Sequence, residues 1–416
     1  MNIAFFWGWP MYEHIGGVQR VTCLLTREFQ RRGHKVFFVA FMRKNEKEEY
    51  IAQLKRDFQQ DLKGYVFIAP QIFIEINDTL SKTKASVRSF IENEHIDYVI
   101  QQEPFSWSFD ILDSLPYSIV KVLVKHSKPL ETNGLERFVY KRYHPTGLID
   151  TLKTKLYIML PVIPRMRDLY IARNTYIGAT KHADRLCLLS RHFIPRLNRF
   201  VPGIDNSKVC AISNPSTFKP QPVALDKKEK KVIMVCRMED STKNVSDFLK
   251  AWSIVEKKHP DWCAELVGDG TDLNVLKKQA QDLKLEKCHF LGYQSNVKDI
   301  YASARINCVC SWYEGFPMVI AESLAYGCVT ISYDTFEALR DTINDNVNGM
   351  IVHSNKPTEL ADKMCYLIEN PQILESMAKK SLEKCKDFDV EHIVNQWTQL
   401  YEIIKKEKAN GKQDSE

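Results

Sequence analysis

Two cations six residues apart, Arg237 and Lys243, follow the apolar run KVIMVC. Two glutamates eight residues apart, Glu314 and Glu322, follow a second run, INCVC. Paired cations at one strand end can hold a pyrophosphate and neutralise it as it leaves. Of the two carboxylates, one can face a sugar while the other bonds ribose hydroxyls. Between them Gly315, Phe316, Pro317 and Met318 open a helix; proline in a first turn costs nothing, and the N–H groups around it can form an anion site. After CAELV, Gly268-Asp269-Gly270 makes a tight turn. In the first half, Gly16-Gly17 precedes a helix and His126 follows an apolar run. Each has a plainer reading alone: surface charges, a solvated helix face, a flexible turn, a satisfied histidine.

The elements around these residues decide between the readings. NIAFFW at 2–7, a helix with Val18, Val21, Leu24, Leu25 and Phe29 at three- and four-residue spacing, and KVFFVAF at 35–41 make a βαβ unit. Further strands are expected at 65–69, 97–101, 119–124 and 185–189. The proline-rich, then charged stretch 214–230 reads as a linker. Beyond it, strands at 231–237, 263–268, 288–292, 306–311 and 329–333 alternate with helices near 244–258, 271–283, 296–303 and 317–326. That is a second doubly wound α/β domain, and such sheets bind ligands at the carboxyl ends of their strands. The expected organisation is 1–215, 216–388, and a tail from 389 that is an amphipathic helix before a charged, disordered end.

The run SWYEGFPMVIAESLAYG resembles the signature of glycosyltransferase family 4, retaining enzymes of the GT-B fold whose two glutamates are separated by seven residues. R-x5-K at Arg237 and Lys243, LVGDG, HFLGY and NDNVNGMIV are similar to further family segments in the same order. The Gly-Gly loop, GHKV, KHSKP and ISNP fit the first half. The resemblance spans nearly the whole chain and is tightest over 231–352. It implies two facing Rossmann-like domains with parallel sheets and a cleft between them, the C-terminal helix packing back toward the N-terminal domain. Arg237 and Lys243 would grip the donor diphosphate and Glu322 the ribose. Glu314, with the backbone of Gly315, Phe316, Pro317 and Met318, would contact the transferred sugar. Gly16, Gly17 and Gly268 would lie near the donor, and His126 near the reacting sugar. The chain departs from the pattern at Cys236, where a glycine commonly precedes the arginine, and at Pro317, where many members carry glycine.

At 416 residues, 44% hydrophobic and 26% charged, the chain suits about two globular domains. Its net charge of +6 does not call for nucleic acid. Eleven scattered cysteines without C-x-x-C read as small buried thiols in a reducing compartment. Asp387-x-Asp389 mimics a metal motif, but Asp389 more simply caps the last helix. No signal peptide or membrane span is expected. Segment 137–173 carries eight basic residues against two acidic ones, with five aromatics interleaved. Lys141, Arg142, Lys153, Lys155, Arg165 and Arg167 could form a patch on anionic lipid that meets a lipid-linked acceptor, or simply a solvated insertion.

The resulting expectation is a cytoplasmic retaining glycosyltransferase, peripheral on the inner face of the plasma membrane if the patch binds lipid. It would move a hexose-type sugar from a nucleotide sugar, UDP first and GDP next, to a hydroxyl of a glycan or lipid-linked glycan. The setting would be polysaccharide, lipopolysaccharide or capsule synthesis, with no cofactor or metal. A Rossmann-type oxidoreductase lacks its G-x-G-x-x-G between strand and helix, and a P-loop enzyme its G-x4-G-K-[ST]. A non-catalytic, membrane-docking sugar-nucleotide binder stays open.

Overall fold

The computed structural model describes residues 1–9, 11, 16–43, 68–76, 80–129, 162–222 and 224–413, the side chains at 162–168 and 412–413 excepted. Apolar runs at the start of the chain become strands with both faces covered. β1 (Asn2–Trp7) pairs in parallel with β2 (Lys35–Met42), Asn2 opposite Lys35. Helix α1 (Gly17–Arg31) links them, with Val21, Leu25 and Phe29 buried at four-residue spacing. The chain continues through β3 (Gln71–Glu75), α2 (Ser81–Asn93), β4 (Tyr98–Gln101), α3 (Phe109–Asp113) and β5 (Val120–Lys125). After α4 (Val162–His182) come β6 (Arg185–Leu188), α5 (Phe193–Phe200) and β7 (Val209–Ala211). The seven strands are parallel in the order β3-β2-β1-β4-β5-β6-β7, so the winding reverses between β1 and β4.

The third strand is not where the apolar run 65–69 suggests. Ile68 and Ala69 lie in a bend, and 65–67 are outside the described residues. Pairing starts where the Pro70 carbonyl accepts the Phe38 N–H at 2.9 Å, which sets Gln71 opposite Phe38.

The second sheet begins with β8 (Lys231–Val235), followed by α6 (Asp240–Lys243) and α7 (Val245–Lys258). The expected helix at 244–258 is thus preceded by a separate turn. Asn244, at φ 51°, divides the two, while the Asp240 carboxylate accepts both the Ser246 N–H and its hydroxyl at 2.7 Å. Then come β9 (Cys263–Val267), α8 (Leu273–Asp282), β10 (Cys288–Gly292), α9 (Lys298–Ser303), β11 (Ile306–Val309) and α10 (Met318–Leu324). The series ends with β12 (Val329–Tyr333), α11 (Leu339–Thr342), β13 (Gly349–Val352), α12 (Pro357–Glu369), α13 (Pro371–Cys385) and α14 (Val390–Gln413). Strand order is β10-β9-β8-β11-β12-β13, all parallel, with its reversal between β8 and β11. Phe248, Trp252 and Val255 of α7 are fully buried against this sheet's core, each contributing roughly 1.5–3 kcal/mol.

Two compact units result. One is drawn from Met1–Leu130, Leu169–Pro215 and Val390–Glu416; the other is built on Ser216–Asp389. Helix α14 belongs to the first. Arg32 at the end of α1 donates to Asn395 Oδ1 (2.6 Å) and to the Glu391 carbonyl (2.8 Å). The Tyr401 ring lies 5.3 Å from Tyr98, and Lys408 pairs with Asp184 at 2.7 Å. The stretch 214–230, read as a linker, is bound into the second unit from Ser216 onward. Ser216 N–H donates to the Phe388 carbonyl, and Gln221 N–H to that of Ala325, each at 2.8 Å. All eleven cysteines are free; seven are buried and four partly so.

Candidate functional site

The carboxyl ends of β8, β9 and β11 lie side by side, and the loops leaving them are tied together by backbone hydrogen bonds. Cys236 N–H donates to the Val267 carbonyl, Met238 N–H to that of Asp269, and Asp272 N–H to that of Met238, each at 3.0 Å. Such close approach leaves no room for side chains on the second loop. A Cβ on Gly268 (φ 135°) would stand 1.9 Å from the Cys236 carbonyl oxygen, and one on Gly270 within 2.6–2.8 Å of Met238 backbone atoms. Gly268, expected near a donor, is therefore also required by the packing of two strand ends. The Cys236 side chain is partly buried, and desolvation pushes its thiol up to about 12, so it stays protonated and unreactive.

Arg237 extends into solvent, 66% exposed, with its guanidinium 3.1 Å from Glu239. Lys243 ends α6, and its ammonium lies 2.6 Å from Glu314 Oε1, the two side chains 23% and 16% exposed. The Trp312 N–H, which donates to the Thr242 carbonyl at 2.9 Å, fixes the two loops that carry this pair. Burial pushes the Lys243 ammonium down, but the adjacent Glu314 carboxylate outweighs it and the net displacement is upward. Lysine therefore stays charged. The β8/β11 reversal point thus carries an exposed guanidinium paired with Glu239 and a partly buried ion pair.

Helix α10 begins at Met318, so Pro317 holds the cap position rather than a place in the first turn. Met318 N–H is already spent on the Phe316 carbonyl at 2.9 Å, and the Phe316 ring packs 5.4 Å from Phe388. Glu322 points into the protein at 2% exposure. Its Oε1 accepts the Thr217 hydroxyl at 2.7 Å and its Oε2 the Tyr301 hydroxyl at 3.1 Å. Neither donor is foreseen in the sequence. Thr217 lies 105 residues from Glu322 and Tyr301 lies 21 away, so no local pattern joins them.

In the other unit, Gly16 takes φ 83° immediately before α1, and a Cβ on Gly17 would meet nothing within 4 Å. His126 follows β5. Its Nε2 faces the Gln102 amide oxygen, and its backbone N–H donates to Glu103 Oε2 at 3.3 Å, while Glu103 Oε1 meets Lys125. Desolvation, with a smaller contribution from Lys125, pushes the imidazole down to about 3. The ring is therefore neutral at pH 7, with an Nε2–H facing the amide and a lone pair on Nδ1. That Nδ1 is buried without a hydrogen-bond partner, as is Nε1 of Trp7, whose ring stands edge-on 6.4 Å away.

The basic patch lies mostly outside the described residues: Lys141, Arg142, Lys153 and Lys155 fall there, and Arg165 and Arg167 are on α4 with side chains outside them. Further along α4, Tyr170 (66%) and Ile171 (51%) are exposed. Among the described residues no helix is long and apolar enough to cross a membrane. Asp387 of the D-x-D sequence pairs with Lys384 at 2.9 Å. Among the described residues, one group has metal-ligand chemistry: His259 just after α7, with Cys365 and Glu369 of α12. There the His259 ring and Glu369 lie 3.2 Å apart, an ion pair when the imidazole is protonated.

Residues 216–384 match the model of a family described as glycosyl transferases group 1. An uncharacterized glycosyltransferase of Haemophilus influenzae is 30% identical over 192 residues, covering 46% of this chain and 54% of the relative. A Campylobacter jejuni enzyme that adds α-1,4-N-acetylgalactosamine to an undecaprenol-diphosphate-linked glycan is 30% identical over 202 residues, 48% of this chain and 55% of the relative. The chain thus spans about half the length of these curated relatives. Anabaena HepE, solved in complex with UDP and glucose, superposes with a TM-score of 0.65 at 17% identity, covering 96% of this chain and 99% of that one. The fold class is therefore that of the GT-B enzymes, two Rossmann-like parallel sheets in one chain.

Proposed function

We propose, from the match of residues 216–384 to the model of glycosyl transferases group 1, that the protein is a retaining glycosyltransferase of bacterial glycan synthesis. Its donor is a nucleoside diphosphate sugar, UDP-linked, and the transferred group a hexose-type sugar. The observation that carries this reading is the charge arrangement at the β8/β11 reversal: Arg237 exposed, Lys243 paired with Glu314, and Glu322 buried beside them in sequence. A diphosphate bound there meets two cations, one of which must be shared with or released by Glu314. As the sugar–phosphate bond breaks, those cations take up the developing charge, and loss of one such group typically costs about 10²–10³ in rate. Glu314 and the backbone of Gly315, Phe316, Pro317 and Met318 then border the sugar, and Glu322 the ribose. Attack from the face the diphosphate leaves needs no protein nucleophile, and two cations stand in for a metal.

The acceptor we propose is a hydroxyl of a glycan, lipid-linked as in the C. jejuni relative. The basic segment 137–173 would meet it at an anionic membrane surface. Support comes from Tyr170 and Ile171, exposed on α4 within that segment.

Binding and hydrolysis of a panel of nucleotide sugars by wild type, Arg237→Ala and Glu322→Ala tests the reading. One donor binds and turns over slowly in wild type, and each variant weakens it at least about tenfold. Binding of a nicotinamide cofactor and of no nucleotide sugar would overturn it. In the same samples, flotation with anionic but not neutral liposomes supports the membrane contact, and equal flotation with both sinks it.

A further inference from the structure

Helices α7 and α12 end against each other. His259 caps the first, its N–H donating to the Val255 carbonyl at 2.8 Å and its carbonyl accepting the Trp262 N–H at 3.0 Å. Glu369 is the last residue of α12 and Cys365 lies one turn before it, so the two share a face. Their ligand atoms and that of the His259 ring all lie within 4.8 Å of one another. The carboxyl end of a helix carries partial negative charge and is stabilised by a cation. Yet α12 has no basic residue in its last turn and ends instead on a carboxylate.

The histidine and glutamate do not make an ordinary hydrogen-bonded ion pair. His259 Nε2 lies 3.2 Å from Glu369 Oε1 but is buried without a hydrogen-bond partner, because the carboxylate stands off the axis of the ring nitrogen. The imidazole is 16% exposed and Cys365 is buried, while Glu369, 57% exposed, keeps a way open to solvent. Desolvation holds the Cys365 thiol above its ordinary range, so a cation binding there must displace its proton to water. Around that thiol two carboxylates, Glu369 and Asp362, oppose the single Lys258 ammonium. Ligands of a tetrahedral zinc ion, bound at about 2.0–2.3 Å, stand roughly 3.3–3.7 Å apart. The His259–Glu369 separation is already of that size, and about 1 Å of side-chain rotation closes the rest of the set.

We infer that His259, Cys365 and Glu369 bind one zinc-class divalent cation, with water in the fourth position, which clasps the end of α7 to the end of α12. Thiolate and imidazole together select such a borderline cation over Mg²⁺ or Ca²⁺. The 14 residues of α7 set the ion about 20 Å from Lys243, so it lies beyond reach of the candidate donor site. Its role is structural, and the inference is independent of the transferase reading.

Titration of Co²⁺ and Zn²⁺ into the chelator-stripped full chain, with Mg²⁺ as control, tests it. One Co²⁺ per chain binds wild type with a thiolate-to-metal charge-transfer band in the near ultraviolet, and Zn²⁺ displaces it. Zn²⁺ at about a hundredfold its dissociation constant raises the melting temperature by about 5 °C or more, and Mg²⁺ does not. His259→Asn and Glu369→Gln each weaken Zn²⁺ about tenfold or more, and Cys365→Ser also loses the charge-transfer band. Thermal melts establish that each variant is folded. Should buried Cys365→Ser fail to fold, Glu369→Gln, at an exposed position, carries the test. Absence of the Co²⁺ band in wild type, its persistence in folded Cys365→Ser, or unchanged Zn²⁺ affinity in Glu369→Gln overturns the inference and leaves the transferase reading untouched.

Discussion

The carboxyl ends of the two sheets are furnished in opposite ways. In the six-stranded sheet each charged candidate has a counterpart: Arg237 meets Glu239, Lys243 meets Glu314, and Glu322 meets two hydroxyls. In the seven-stranded sheet Glu103 and Lys125 satisfy each other, but the His126 Nδ1 and Trp7 Nε1 beside them are buried without partners. An unpaired buried polar atom costs about 1–3 kcal/mol, whereas a paired one costs little. The second unit therefore holds its charges in place before any ligand arrives. The first unit keeps a donor and an acceptor whose needs a hydroxyl or a water would meet. Glycines divide the same way: Gly268 and Gly270 are packed against backbone, while Gly17 faces open space.

The sharpest test of that division is Gly268→Ala. A methyl 1.9 Å from a carbonyl oxygen must separate the loops after β8 and β9, and we expect a loss of about 3 kcal/mol or more, or an insoluble chain. Gly17→Ala, at a helical position with room, changes stability by less than about 0.5 kcal/mol. Paired thermal melts of the two variants check this, and similar melting temperatures would erase the contrast between the glycines.

Acid titration probes the first unit. The folded imidazole of His126 titrates near 3, against about 6.5 in an unfolded chain. Between those values the unfolded chain binds the extra proton, so stability is full above pH 6.5 and falls as pH drops toward 3. His126→Gln removes that slope, worth a few kcal/mol across the window. Urea midpoints at pH 7 and pH 4.5 for both proteins measure it, and parallel acid losses would show that His126 is not the group responsible.

The smallest effect concerns the ion pair. Lys243→Met strands Glu314, and because both side chains keep some solvent the cost is about 1–3 kcal/mol. Lys243→Met/Glu314→Gln restores most of that stability without restoring nucleotide binding. Urea denaturation with a binding assay separates the two quantities, and recovery of both would deny the pair any part in the site.

The alternating pattern of strand and helix was legible wherever strands were long and buried on both faces, as in KVFFVAF and KVIMVC. It failed for short strands at or near sheet edges. β3 follows a proline and was displaced from 65–69 to Gln71–Glu75; β7 has three residues and β13 begins at a glycine. In such strands pairing to a neighbour, rather than local composition, decides the conformation. At the candidate site, residue types near a strand end could be read, since each is local to its own loop. That Lys243 and Glu314 pair, and that Thr217 and Tyr301 hold Glu322, depends on contacts across the fold. Gly268 was legible as a turn, but its clash with Cys236 was not, since nothing in either loop alone announces the other.

Helix α14 has a consequence for how the chain is made. The first unit's sheet is complete by residue 211, yet Tyr401 and Lys408 reach its edge residues, and Asn395 the end of α1, from beyond the whole of Ser216–Asp389. During synthesis the ribosome must therefore release the second unit before the first can close over Tyr98 and Asp184. The first unit thus emerges before the second and finishes after it, and until α14 arrives it exposes an apolar surface to the rest of the cell.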